Sequence, residues 1–289
     1  MKKKSKIVLI LILILAVLCA VAVALLAGYH KIYMFVEEKG LFCDTVDVDI
    51  VQDIESERIS LESVLSDERF TVNQSLMLVN TIYMLPQDFK AEVSEYKDTT
   101  VFMNDCIMSA YEELSVAVLE KTGNKLYVSS SVRDREEQQA LYMEDPLTAT
   151  VPGASEHETG LSLDVYVARF SGDGFLRSKS GRFVNSHCWE YGFIIRYPSY
   201  GEKYTGIRYE PWHVRYVGHP HSDIIYNNHL TLEQYISSLE PGVFYKTGEY
   251  IITRQEAVES MLTVPSGCES YVISPDNTGY YIVTGKLAK

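Results

Sequence analysis

Ser155-Glu156-His157-Glu158-Thr159-Gly160-Leu161-Ser162-Leu163-Asp164-Val165-Tyr166-Val167 is the stretch on which the reading of this chain turns. From Leu161 to Val167 apolar and polar residues alternate, the pattern of a strand with one face buried. His157 precedes that strand in a loop, and Asp164 sits on it. A second histidine follows in Glu210-Pro211-Trp212-His213. A catalytic zinc site needs three N or O ligands and an open position, and His157, Asp164 and His213 would provide the three. Glu210 is placed to act as a base toward the water such a site activates. Residues three apart on an extended segment face opposite ways, so Pro211-Trp212 must bend the chain for Glu210 and His213 to reach one centre. Taken alone, a His-x6-Asp pair is a weak signal and more often structural than metal-binding.

Around this strand the pattern is mixed. Asn104 or Asp105 can cap a helix with apolar positions at Ile107, Tyr111, Leu114 and Val118, and Gly123 ends it. Leu126-Tyr127-Val128 reads as strand and Arg135 to Tyr142 as helix. Ser186 can cap a short helix ending near Gly192, with Phe193-Ile194-Ile195 continuing as strand. Thr231 with Gln234 forms a capping-box pattern for a helix through Leu239. The fold class expected is α+β, a small antiparallel sheet flanked by helices. After Pro241 the segments Tyr250-Ile251-Ile252, Tyr271-Val272-Ile273 and Tyr280-Tyr281-Ile282-Val283 are β-prone. Pro275 to Gly279 supplies turn chemistry between the last two, so residues 241–289 read as a small C-terminal β appendage.

The N-terminus is of another kind. Ile7 to Ala27 is 21 consecutive apolar residues behind Lys2, Lys3, Lys4 and Lys6. As a helix this run is long enough for a bilayer core of about 30 Å, and the lysines would keep its start cytoplasmic. Residues 1–28 are therefore expected to be a tail and transmembrane anchor, with the catalytic part extracellular; a cleaved signal peptide is the rival reading. Residues 29–75, acidic from Asp44 to Phe70 with no aromatic residue in that stretch before Phe70, read as a stalk, and 76–240 as the catalytic domain. The formal net charge of −13 hides this division: beyond Gly28 there are 22 basic against 39 acidic groups, a net of −17. Such a surface repels phosphate backbones, so no nucleic-acid partner is expected. Cys43, Cys106, Cys188 and Cys268 could form up to two disulfides in any of three pairings, or none.

Ser-x-His-x-x-Gly-x-x-x-Asp followed by Glu-x-Trp-His resembles the signature of the zinc D,D-carboxypeptidases and dipeptidases related to VanY and VanX. Three further segments agree in order. Leu126 to Gln138 resembles the family's substrate-binding Ser-Gly-Tyr-Arg-Ser-x-x-x-Gln segment. Trp189 to Pro198 and Tyr209 to Gly218 resemble the VanY-type carboxypeptidases in particular. The resemblance covers roughly residues 76–240. It implies Zn2+ as cofactor, His157, Asp164 and His213 as its ligands, and Glu210 as catalytic base. Arg133 would polarise the scissile carbonyl and stabilise the oxyanion, with Gln138 and Ser155 helping to bind substrate. Ser131-Val132 stands where the family has Gly-Tyr, and Asp134 where it has Ser, which adds a negative charge beside Arg133.

The activity so implied is removal of the terminal D-Ala from peptidoglycan stem peptides or precursors ending in D-Ala-D-Ala, which in the family supports glycopeptide (vancomycin) resistance. Three alternatives stand against it. Ser94-Glu95-Tyr96-Lys97, Tyr226-Asn227-Asn228 and Lys246-Thr247-Gly248 match serine penicillin-binding motifs, but the gap from Asn228 to Lys246 is very short for that fold. A dipeptidase or endopeptidase on the same scaffold is a second reading. A non-catalytic wall-binding or sensor module is the third, and retention of Glu210, Arg133 and all three ligands argues against it. His219 and His221 read as an exposed His-Pro-His, at the surface or as a competing metal site.

Overall fold

The computed structural model describes residues 2–41, 43–147 and 149–288, with the side chains of residues 2–11, 22–28 and 30 outside that description. The chain divides into two units, 1–42 and 43–289. The first holds one helix, α1 (Lys2–Glu38). Among the described residues no helix is long and apolar enough to cross a membrane. Of the Ile7–Ala27 run, only residues 12–21 have described side chains.

The second unit begins with short elements: β1 (Asp49–Val51), β2 (Ser56–Ser60), α2 (Leu61–Val64), β3 (Phe70–Val72), β4 (Val93–Glu95) and β5 (Phe102–Asn104). Then come α3 (Met108–Thr122), β6 (Tyr127–Ser130), α4 (Arg135–Glu144), β7 (Ser162–Tyr166), α5 (Lys179–His187), β8 (Phe193–Ile195), α6 (Glu202–Thr205) and β9 (His213–Tyr216). The chain closes with α7 (His221–Asn227), α8 (Leu232–Ser238), β10 (Phe244–Thr247), β11 (Tyr250–Gln255), β12 (Met261–Pro265), β13 (Cys268–Pro275) and β14 (Tyr281–Leu287).

β6, β7, β9 and β8 form the expected antiparallel sheet, in that order. α3 covers it. Asn104 accepts from the Cys106 N–H to open a short 3-10 turn, and Gly123 ends α3 at φ +76°, a conformation that penalises any side chain. Ile107, Leu114 and Val118 are fully buried with Leu161, Leu163, Phe193 and Val214. Each such side chain contributes about 1.5–3 kcal/mol on leaving water. The helix expected to start at Ser186 starts earlier: Ser178 accepts from the Gly181 N–H and caps α5, and Ser186 lies within it.

The acidic segment read as a stalk is different in structure. β1 and β3 are the edges of a six-stranded sheet, β1-β10-β11-β14-β13-β3, and β2 pairs with β12. An isolated β appendage leaves edges unpaired and one face bare. The acidic segment supplies both missing parts, through few anchors: Phe70 stacks on Tyr271 with centroids 4.6 Å apart, and Val64 is buried beside Leu262 and Val264. This sheet also shares a core with the last helices. Tyr245, Ile252 and Ile282 pack with Ile225, Leu232, Tyr235 and Ile236.

Candidate metal centre

Strand register builds the centre. Asp164 on β7 pairs directly with His213 on β9 on one side and with Ser130 on β6 on the other. Directly paired residues project on the same face. The Asp164 and His213 side chains therefore meet, with Asp164 Oδ1 2.9 Å from His213 Nδ1. His157 arrives from a 3-10 turn, Glu156–Thr159, ended by Gly160 at φ +69°. A Cβ on Gly160 would lie 2.7 Å from Val93 Cγ1 and 2.9 Å from the Asn104 backbone nitrogen, so the sharp exit into β7 requires glycine. His157 Nε2 then stands 3.4 Å from Asp164 Oδ2, while Nδ1 donates to the Ser131 carbonyl at 2.7 Å. The bend at Pro211-Trp212 is present: the His213 N–H donates to the Glu210 carbonyl, which brings Glu210 Oε2 to 3.9 Å from His213 Nδ1.

One ligand atom from each of His157, Asp164 and His213 falls within 4.8 Å of the others. Two imidazoles and a carboxylate, buried on one side of a cavity, are a donor set that suits zinc. The hydrogen bond from His157 Nδ1 leaves its Nε2 lone pair aimed inward. Buried His213 Nε2 has no hydrogen-bond partner among the described residues, while the ring's Nδ1 faces Asp164.

Charge in the centre is unevenly distributed. Burial works against ionised Asp164, yet hydrogen bonds from both histidines hold its carboxyl far below the usual range. Burial lowers the pKa of His157 despite Asp164. For His213 burial is outweighed by the carboxylates of Asp164 and Glu156, and its pKa is pushed up to about 9. Burial raises that of Glu210, which makes it a better proton acceptor once ionised.

Arg133, Gln138, Ser155, Glu210, Trp212 and the three ligands line one cavity of about 190 Å³. All predicted site residues are thus brought together. Their connections differ from expectation in one respect. Gln138 is fully buried, its Oε1 accepts from Arg133 Nη1 at 2.7 Å, and its Nε2 donates to the Thr150 carbonyl, so it aims the guanidinium. Ser130 Oγ accepts from Arg133 Nη2 at 2.9 Å. Asp134, the departure noted beside Arg133, is turned away from it as the N-cap of α4, in a capping box with Glu137.

Some residues of the site were not foreseen. Ala149, Thr150, Glu156, Tyr197 and Ile207 complete the lining. Arg135 holds Glu158 at 2.7 Å, and Glu158 accepts from the Gly153 N–H, fixing the loop before His157. Beneath the ligands, Glu156 lies between Arg196 and Arg215, and Arg196 continues to Glu233. The competing readings fare differently. His221 is buried, bonded to Tyr235 Oη at 2.6 Å and Thr284 Oγ1 at 2.9 Å, so it is not an exposed ligand. Ser94 lies on β4, Lys97 pairs with Glu112, and Lys246 lies on β10 of another sheet.

A family model described as VanY, D-alanyl-D-alanine carboxypeptidase, matches residues 100–219. A D-alanyl-D-alanine carboxypeptidase of Enterococcus faecium is 30% identical over 246 residues, covering 77% of this chain and 78% of that protein. The chain belongs to the VanY family. Among solved structures, it is similar to the vancomycin-resistance D,D-dipeptidase VanXYg bound to a D-Ala-D-Ala phosphinate analogue. That likeness has a TM-score of 0.64 at 25% identity, over 81% of this chain and 100% of the other. It is also similar to a variant of the D,D-pentapeptidase VanY from a VanB-type resistance cassette, in complex with Zn(II). There the TM-score is 0.51 at 29% identity, over 56% of this chain and 98% of the other. Every residue of the metal centre lies inside the VanY family match, whereas β1–β3 and β10–β14 lie outside it.

Proposed function

We propose that this chain is a zinc D,D-carboxypeptidase that removes the C-terminal D-Ala from peptidoglycan peptides ending in D-Ala-D-Ala. One observation carries the reading: the His157–Asp164–His213 donor set opens on the same cavity as Glu210 and Arg133. A zinc ion held there supplies a Lewis acid that polarises a carbonyl and makes water acidic near neutrality. The Glu210 carboxylate takes a proton from the attacking water and returns it to the departing D-Ala amine as the C–N bond breaks. Arg133, clamped by Gln138 and Ser130, stabilises the charge that develops on the carbonyl oxygen without having to reorganise. Ser155, buried on the cavity wall, positions the substrate. Trp212, Tyr197 and Ile207 restrict the space around the terminal residue.

We propose further that the site works outside the cell. The 21-residue apolar run behind four lysines, lying within the helix Lys2–Glu38, supports a membrane anchor with the peptidase on the far side, where stem peptides are found. Loss of the terminal D-Ala removes the dipeptide end that glycopeptides bind, which links the activity to vancomycin resistance. Purified protein is offered a pentapeptide ending in D-Ala-D-Ala, a tetrapeptide ending in one D-Ala, and free D-Ala-D-Ala. Release from the pentapeptide, abolished by a chelator and restored by zinc, is expected. Preference for the free dipeptide assigns a dipeptidase, penicillin inhibition with indifference to chelation assigns a serine enzyme, and no release assigns a non-catalytic module.

A further inference from the structure

We infer that Glu156 is a positioning residue that selects the tautomer of His213, so that His213 meets the metal through Nδ1. The inference rests on the zinc reading above, and it concerns a residue inside the Ser-x-His motif that the mechanism leaves unused. Three facts lead to it. First, the two ring nitrogens of His213 face different partners. Nδ1 is 2.9 Å from Asp164 Oδ1, on the cavity side, whereas Nε2 is buried and has no hydrogen-bond partner among the described residues. Second, Glu156 Oε2 stands 3.9 Å from that Nε2, a little beyond hydrogen-bond range. Third, Glu156 cannot turn away. Its Oε1 accepts from Arg196 Nε at 2.7 Å and Arg215 Nη1 at 2.5 Å, and its Oε2 accepts from Ser162 Oγ at 2.9 Å.

A neutral imidazole carries one proton, and a nitrogen that ligates a metal must offer its lone pair. With Nδ1 committed to the ion, the proton of His213 resides on Nε2, where it needs an acceptor. Glu156 supplies one, its carboxylate fixed in place by Arg196, Arg215 and Ser162. His157 shows the same arrangement with its nitrogens exchanged: Nδ1–H goes to the Ser131 carbonyl and Nε2 faces Asp164. The two ligands are therefore oriented by different means, one by a neutral carbonyl and the other by a carboxylate that also braces Arg196 and Arg215. Those arginines extend the brace to the Ser75 and Met77 carbonyls and to Glu233.

The test measures zinc affinity by competition with a chromogenic chelator, and ring tautomers by long-range 1H–15N correlation on the zinc-loaded protein. In the wild type, His213 should be protonated on Nε2. Glu156→Gln should weaken zinc binding by about tenfold to a hundredfold, with Glu156→Asp recovering part of the loss. Glu233→Gln, which disturbs the same ionic network but is not in contact with His213, should leave zinc affinity within about threefold. Equal affinities for Glu156→Gln and wild type, or equal losses in Glu156→Gln and Glu233→Gln, would overturn the inference while leaving the zinc site intact. If Glu156→Gln fails to fold, the wild-type spectrum decides: a His213 ring protonated on Nδ1 contradicts it. A wild type that binds no zinc overturns the metal reading and this inference together. A wild type that binds zinc as described but releases no D-Ala overturns the catalytic reading alone.

Discussion

A guanidinium stabilises a developing oxyanion only if it is already in place, because reorganisation would consume the gain. Arg133 meets that condition through two fixed acceptors, Gln138 Oε1 and Ser130 Oγ, and Gln138 is itself pinned by the Thr150 carbonyl. Removing one of the two acceptors should loosen the guanidinium without removing its charge. A hydrogen bond to a charged group is worth about 1.5–3 kcal/mol, so Gln138→Ala is expected to lower kcat/KM for D-Ala release by about tenfold to a hundredfold. Arg133→Ala should cost more, on the order of 10²–10³ in kcat, with zinc content unchanged in both. Steady-state kinetics with metal analysis checks this, and a Gln138→Ala protein as active as wild type would contradict it. The sequence singled out His157, Asp164, His213 and Glu210 through the motifs they share with the VanY family, and the fold brings them to one cavity. Glu156, Arg196, Arg215 and Glu233 carry no such signal: in sequence they are four separated charges of the kind usually found at a surface, and only the fold buries them in one network.

At the scale of elements, Asp134 shows how one residue admits two readings. In sequence it adds negative charge beside Arg133. In the structure its carboxylate accepts from the Glu137 N–H at 2.8 Å and starts α4, the helix that carries Gln138. Asp and Ser cap about equally well, so Asp134→Ser should change neither stability nor KM appreciably, whereas Asp134→Ala should lose about 1 kcal/mol of stability. Denaturant midpoints of the two variants test the assignment, and a large gain in substrate affinity from Asp134→Ser would instead support direct repulsion. α8 starts at its Thr231–Gln234 capping box, and the Asn104 cap opens the 3-10 turn that leads into α3. Ser186 misled because Ser178, eight residues earlier, offers the same capping chemistry with more helix to follow.

Across the larger unit, the peptidase sheet and the C-terminal strands share buried residues. β1, β2 and β3 were hidden in the sequence: each is short, two lie in acid-rich surroundings, and their partners are far along the chain, as with Asp49 beside Lys246. His221 sits at this junction, joining α7 to Tyr235 on α8 and Thr284 on β14. Burial, followed by the nearby charge of His219, pushes its pKa from 6.5 down to about 3. The unfolded chain therefore takes up a proton below pH 6.5 that the folded chain refuses until about pH 3, so the junction loses stability as pH falls through that window. Relative to His221→Gln, the wild type should lose about 2 kcal/mol between pH 7 and pH 5. Urea midpoints of both proteins at the two pH values measure this, and a gap that does not change with pH would show that His221 is not held neutral.

In the mechanism proposed here one carboxylate, Glu210, drives hydrolysis at a zinc site built from His157, Asp164 and His213. The most direct test is D-Ala release from a D-Ala-D-Ala-ending pentapeptide by zinc-loaded wild type and Glu210→Ala, with zinc content measured on the same samples. Full zinc content in both and a rate about 10²–10⁴-fold lower in Glu210→Ala are expected; equal rates at equal zinc content would show that Glu210 is not the base.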